Sequence, residues 1–270
     1  MKRLYEPAAI GRMRALPRSF PLRTLSLLVA TAGLLAGSAW ANPSMEEEVM
    51  FSAAKAGNVA LFQAMLKAGA NANARDAVGN TALIYAALSD HDEMVREVLT
   101  HFVDLDVRGG TGMTALGIEA AHGSPLAVLR LLHAGANPSA PDAFGVTPLA
   151  SALRLGRGPL ALHLLAAGAD PNLADRDGIT PLHIAAEHGD ADAVVALLMH
   201  GADPNRLDHD RRSPLFLALF GHHPEAAEAL IRRRQTDLTL VTQGYSPEFW
   251  ASQMGYEDIA RSIKARIARG

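Results

Sequence analysis

The sequence predicts an all-α solenoid of about seven helix-turn-helix units with projecting hairpin tips, preceded by a secretory signal peptide. Three observations lead there. The first is a phrase that returns every 33 residues: TALIYAALSD at Thr81, TALGIEAAHG at Thr114, TPLASALRLG at Thr147, TPLHIAAEHG at Thr180, SPLFLALFGH at Ser213 and SPEFWASQMG at Ser246. One step further back, at Glu48, EVMFSAAKAG is a weaker copy. A fixed period of this size marks stacked units, each too small to bury its own apolar face. The second is composition: 49% of the 270 residues are apolar, only 5% are aromatic, and none is cysteine. Sparse aromatics with abundant Ala, Leu and Gly favour close-packed helices over a sandwich of sheets. Without cysteine there are no disulfides, zinc–thiolate sites or thiol nucleophiles. The third is an N-terminal stretch unlike the rest.

In that stretch Lys2, Arg3, Arg12, Arg14, Arg18 and Arg23 face one acid, Glu6. An uncharged run, Leu25 to Trp40, follows and closes on Ala39-Trp40-Ala41. A basic head, an apolar middle and small residues at −3 and −1 describe a signal peptide of bacterial style, residues 1–41, cleaved after Ala41. The run is short for a membrane span of about 20 residues, so a retained anchor is the weaker alternative. Met13 is a second candidate start, and with no Arg-Arg pair the general export route is expected. Cleavage leaves residues 42–270, with units starting near 48, 81, 114, 147, 180, 213 and 246. It also removes six of the 25 basic and one of the 28 acidic residues, so 19 bases face 27 acids and the net charge is −8. That balance disfavours nucleic acid and anionic lipid as partners. The expected state is an exported protein, periplasmic, free of the membrane after cleavage, and monomeric.

Within a unit, Thr or Ser caps a first helix and Pro suits its first position. Small and apolar residues follow, such as Leu182, Ile184, Ala185 and Ala186, and Gly189 permits the left-handed stop. A second helix carries leucine pairs, such as Leu197-Leu198, and halts at Gly135, Gly168 or Gly201. A tip such as LADRDG leads into the next unit. At the ends, Glu46, Glu47 and Glu48 open the first helix, and Lys264, Arg266 and Arg269 close the last, both matching the helix dipole. Ile259, Ile263 and Ile267 form an inward stripe on the last helix.

Several positions break the pattern. Glu119 stands in a column filled elsewhere by alanine, so it is either a tolerated substitution or a functional polar spot. Asp90 and His222 replace helix-ending glycines. RGGTG, residues 108–112, lacks the strand-then-helix setting of a phosphate loop and reads as a hairpin tip. Around Arg232–Gly244 the motif wording is lost and Asp237-x-Thr239 comes one residue late, which predicts a distorted end to the second helix of the sixth unit.

The unit resembles the ankyrin repeat, whose signature T-P-L-H-x-A-A-x-x-G, an apolar second helix and G-A-D-x-N are matched almost letter for letter from Thr180 to Arg212. The resemblance covers Met45 to Gly270. It implies paired helices with tips at roughly a right angle, a protein partner held in the groove, and no catalysis. It also implies that His183 bonds the backbone of a neighbouring tip. Partner contacts in this family come from tips and outward first-helix positions. Carried over, they fall on Met113, Phe144, Arg154 and Arg176, on Asp177, Ile179, Glu187 and His188, and on His209, Arg212, Phe220 and Tyr245. Phe144, Arg176, Ile179, His188 and His209 make the favoured central patch, since aromatics and Arg serve as anchors. Exported bacterial members are linked with catalase and peroxide defence, a role that the resemblance suggests and the residues do not.

Chemistry has little to stand on. There is no nucleophile elbow, phosphate loop, HExxH or dinucleotide fingerprint, so no enzyme and no cofactor are expected. In TPLHIAAEHG, His183 and His188 are five residues apart and diverge by about 140° around a helix. Asp175/Asp177 and Asp208/Asp210 lack the distal Glu of a calcium loop and read as water-facing tip residues. A metal or small ligand held by C-terminal histidines, His209, His222 and His223, is the alternative function.

Overall fold

Every first helix begins where a hydroxyl takes over a backbone donor. The side chains of Ser44, Thr81, Thr114, Thr147, Thr180, Ser213 and Ser246 each accept an N–H three residues on. The computed structural model describes residues 43–269, so the expected signal peptide, its cleavage and the choice of start codon lie outside the described residues. Seven helix pairs follow in order: α1 Met45–Ala56 and α2 Val59–Lys67; α3 Ala82–Leu88 and α4 Asp92–Val98; α5 Ala115–His122 and α6 Pro125–His133; α7 Pro148–Arg154 and α8 Gly158–Ala166; α9 Pro181–His188 and α10 Ala191–Met199; α11 Pro214–Phe220 and α12 Pro224–Arg232; α13 Pro247–Gln253 and α14 Glu257–Ile267. Among the described residues there is no strand beyond a lone bridge between Thr242 and Tyr245. None of these helices is long and apolar enough to cross a membrane.

First helices pack on first helices and second on second, unit after unit. Two columns at the 33-residue spacing form the seam. Leu116, Leu149 and Leu182 are buried in the first helices, and Leu131, Leu164, Leu197 and Leu230 in the second. Each buried leucine contributes about 1.5–3 kcal/mol. The column of Ala53, Ala86, Ala152, Ala185, Ala218 and Ala251 is closed to water and lets neighbouring helices approach closely.

A ladder of side-chain bonds joins the units near the ends of the second helices. Asn172 donates to Gly201 O (2.9 Å) and accepts from Asp203 N (2.8 Å). Asn73 does the same toward Phe102 O and Asp104 N, and Asn205 toward Gln235 O and Asp237 N. Asp106 and Ser139 each supply one such bond, to Asn137 N and Asp170 N.

The irregular sixth unit is as expected. Its second helix ends on Arg233 in an extended conformation, where Ala134 at the end of α6 stays helical. The ladder from Asn205 then reaches 32 residues ahead, against 31 from Asn73 and Asn172. The surplus residue is removed in the next tip. Thr242 and Tyr245 bond each other in both directions around Gln243 (φ 53) and Gly244 (φ 82), a tight hairpin turn. Asp90 (φ 54) and His222 (φ 62) hold the left-handed turns that glycine makes in sister units. The inward stripe of α14 is shorter than expected. Ile259 and Ile263 are buried, but Ile267 is exposed.

Glu119 has no exposed surface. Its carboxylate occupies the room that Gly123 leaves, where an added Cβ would fall 1.5 Å from Oε2. Neither oxygen makes a hydrogen bond of good geometry. Burial, with the charges of Asp90 and Asp92, pushes its pKa up to about 8; the Ser124 amide and Arg157 pull it back part of the way. The Arg157 guanidinium instead donates to the carbonyls of Glu119 (2.9 Å), Ala120 (2.9 Å) and Gly123 (2.5 Å), closing the end of α5.

Candidate partner-binding surface

Three successive central tips are each built around one aspartate. Asp142 Oδ1 accepts from Phe144 N (2.7 Å) and Val146 N (2.8 Å); Asp175 Oδ1 accepts from Asp177 N and Ile179 N, both at 2.9 Å. Asp208 binds the amide and the guanidinium of Arg212, both at 2.7 Å. The reading of these acids as water-facing therefore holds for Asp177 and Asp210 only. Asp175 and Asp208 are turned inward, because three orphan tip amides and two arginines, Arg154 and Arg212, need an acceptor.

Neighbouring tips are laced together. Arg176 N donates to Phe144 O and His209 N to Asp177 O, both at 3.0 Å. His183 is fully buried: Nδ1 faces Thr180 Oγ1 (2.7 Å) and Nε2 faces Arg212 O (3.1 Å). Burial lowers its pKa first, so the ring is held neutral, as a structural tie to the next tip requires.

The sequence-named contact residues divide on this frame. Phe144 is 60% exposed, with the Arg176 guanidinium 5.3 Å above its ring. Asp177, Glu187, His188 and His209 are also exposed; His188 leans on Leu153 O at 3.1 Å. Met113 and Ile179 were expected in the open but pack against the core. Successive tips sit close enough to cover them. Arg154 and Arg212 are not free anchors: Arg154 pairs with Asp175, and Arg212 with Asp208 (2.7 Å) and Asp210 (3.3 Å). Both guanidiniums are used to fasten tips.

Phe220 and Tyr245 belong to a cluster that sequence reasoning missed. Tyr245 stacks on Phe249 (4.2 Å), Phe220 on Phe216 (5.4 Å), and Trp250 stands edge-on among all four. Trp250 Nε1 donates to Thr242 O at 2.9 Å and so pins the last tip. The signal was there: of 14 aromatics in the chain, five lie at these positions near its end. The C-terminal histidines do not assemble. His222 Nδ1 faces Tyr256 Oη, the His223 ring lies over Gly189, and His209 sits on the tip beside Gly178. Among the described residues no three His, Asp or Glu side chains are placed to hold a metal.

A rigid stack of helix pairs whose tips are locked from within, and whose outward side chains are not, is a helical-repeat scaffold for binding other proteins. The sequence model described as ankyrin repeats (3 copies) matches residues 49–142, 118–208, 149–240 and 182–267, and the chain belongs to the ankyrin-repeat family. It is also similar to ankyrin repeat domain-containing protein 29 of Danio rerio, 40% identical over 60 residues. That match spans 22% of this chain and 20% of the relative. Ankyrin repeats generally mediate protein–protein interaction and are non-enzymatic.

Proposed function

We propose that the chain is an exported, non-enzymatic protein that holds a partner protein on its tips and first helices. The observation that carries this is the Phe144–Arg176 pair, a large exposed ring under a guanidinium on tips whose backbone is already bonded. Little ordering is left to oppose binding at such a site. Glu187, His188 and His209 extend the patch, and the aromatic cluster at Tyr245 and Phe220 lies toward the C-terminal end. The signal-peptide pattern of residues 1–41 supports a periplasmic location, and the likeness to exported bacterial members extends the proposal to a stress-defence enzyme such as catalase as the client.

Affinity capture from the cell-envelope fraction tests this, with retained proteins identified by mass spectrometry. The unchanged chain should retain a defined client, and Phe144→Ala with Arg176→Ala and His188→Ala should lose it, with thermal unfolding shifted by no more than about 0.5 kcal/mol. Loss of stability together with binding would assign these residues to the fold. Zinc titration followed by calorimetry should give no stoichiometric heat; one tight site would favour the histidine-ligand alternative. N-terminal sequencing of the same material should begin at Asn42.

A further inference from the structure

The acidic net charge of the chain hides a division. In residues 42–231, 12 basic side chains face 23 acidic ones; in residues 232–270, seven face four. The net charge is therefore −11 over the first stretch and +3 over the second. The fold concentrates the basic stretch further. Arg266 on α14 donates to the carbonyls of Ile231, Arg234 (2.9 Å) and Thr236 (3.0 Å), which ties the end of α14 to the end of α12. Arg233 donates to Leu198 O at the end of α10. Carbonyls fix both guanidiniums and leave their charges whole. Arg234, Lys264 and Arg269 are exposed, and none of them pairs with a carboxylate among the described residues. Five cations thus gather at two adjoining helix ends, with Asp237 as the acid beside them. Arg232 is balanced by Glu228, and Arg261 by Asp258.

The dipole of α14 accounts for Lys264 and Arg266 in its last turn. It does not account for Arg233 and Arg234, which follow the end of α12. Ile267, one turn from Lys264, is 43% exposed among these cations. The charge calls for an anionic occupant, and Ile267 for one with an apolar layer behind its anions. A phospholipid surface offers both. The position suits a flat surface as well, since α14 packs on α13 and α12 and no described helix lies beyond it. At physiological salt, charges more than about 8 Å away are screened, so the acidic units do not cancel the patch.

We propose that this end of the stack docks on an anionic phospholipid surface, its cations on the headgroups and Ile267 entering between them. This amends the expectation, drawn from net charge alone, that anionic lipid is disfavoured. The docking uses none of the tip residues and does not rest on which partner they hold.

Vesicle flotation tests it, with the chain from Asn42 onward, which carries all seven described helix pairs. Vesicles of equal phosphatidylglycerol and phosphatidylcholine should carry the chain at about 0.1 M salt and release it near 1 M. Vesicles of phosphatidylcholine alone should not carry it. Arg234→Gln, Lys264→Gln and Arg269→Gln should each weaken binding about fivefold, and Ile267→Ser by a similar factor. No retention on the anionic vesicles overturns the proposal. Equal retention on phosphatidylcholine does too, as does binding that ignores all three charge variants. Polyglutamate or duplex DNA that displaces the vesicles, with Ile267→Ser of no effect, would make the patch a polyanion site and equally sink the lipid assignment. Circular dichroism checks that each variant is folded; should the α14 variants fail, Arg234→Gln, outside any helix, decides.

Discussion

Glu119 places a carboxylate where six sister positions carry alanine, and its titration sets a direction for the stability of the chain. Folding raises its pKa from 4.5 to about 8, so between these values the native state holds a proton that the unfolded state has released. The stabilisation is complete below pH 4.5 and is lost as pH rises through 8. His183 works the other way: its pKa is lowered by burial, so stability is full above 6.5 and falls as acid protonates the unfolded ring. Between pH 6.5 and 8 the slope thus belongs to Glu119 rather than His183. Glu119→Gln should flatten it, with denaturant midpoints that no longer decline toward pH 8; the wild-type decline over the full window should amount to a few kcal/mol. An unchanged slope in the variant would assign it to other groups. Arg211 is a quieter case. It stands at φ 58, where sister tips place Gly145 and Gly178, because its neighbours Asp208 and Arg212 hold the turn in spite of it.

At the level of elements, the ladder links the first six units into one body. Asn172→Ala removes two bonds between the fourth and fifth units at a site that water can reach. The expected cost is about 1 kcal/mol, read as a lower urea midpoint, with faster hydrogen exchange concentrated in α10. Exchange that rises uniformly would mean that the ladder does not act locally. Helices, caps and their spacing were legible in the sequence because each unit repeats the same few constraints: a hydroxyl before Pro, alanines in the seam, a left-handed stop. The slip at Asp237 was legible for the same reason, as a phrase one residue out of place. Its cure was not. The turn at Thr242–Tyr245 has no sister phrase to compare with, and its form follows from where Ser246 must resume.

Across the whole molecule, stability is a sum of units and their contacts. The aromatic cluster therefore belongs to the last two units alone. Trp250→Ala should cost about 3–5 kcal/mol, and the thermal transition should divide, with the C-terminal units melting first and the rest near the original midpoint. A single transition shifted as a whole would show tighter coupling than nearest neighbours supply. The candidate face was only half legible. Phe144 and Met113 are both large tip residues, yet one is open and the other covered. Burial here is decided by the adjoining unit, 33 residues away, and not by the residue's own motif. Arg154 and Arg212 were misread for a related cause: an outward position in the pattern does not reveal an aspartate of the tip within reach.

The extra residue of the sixth unit has a wider meaning. In a crystal, an inserted row displaces every cell beyond it unless a second fault cancels the first. Here the two faults lie within one repeat, the opened end of α12 and the tightened turn before Ser246. Phase is recovered before the last unit begins. The stack thus behaves as an ordered medium that anneals its own dislocation, and a mutation that lengthens the chain should be borne best between Arg233 and Tyr245, where both faults already sit.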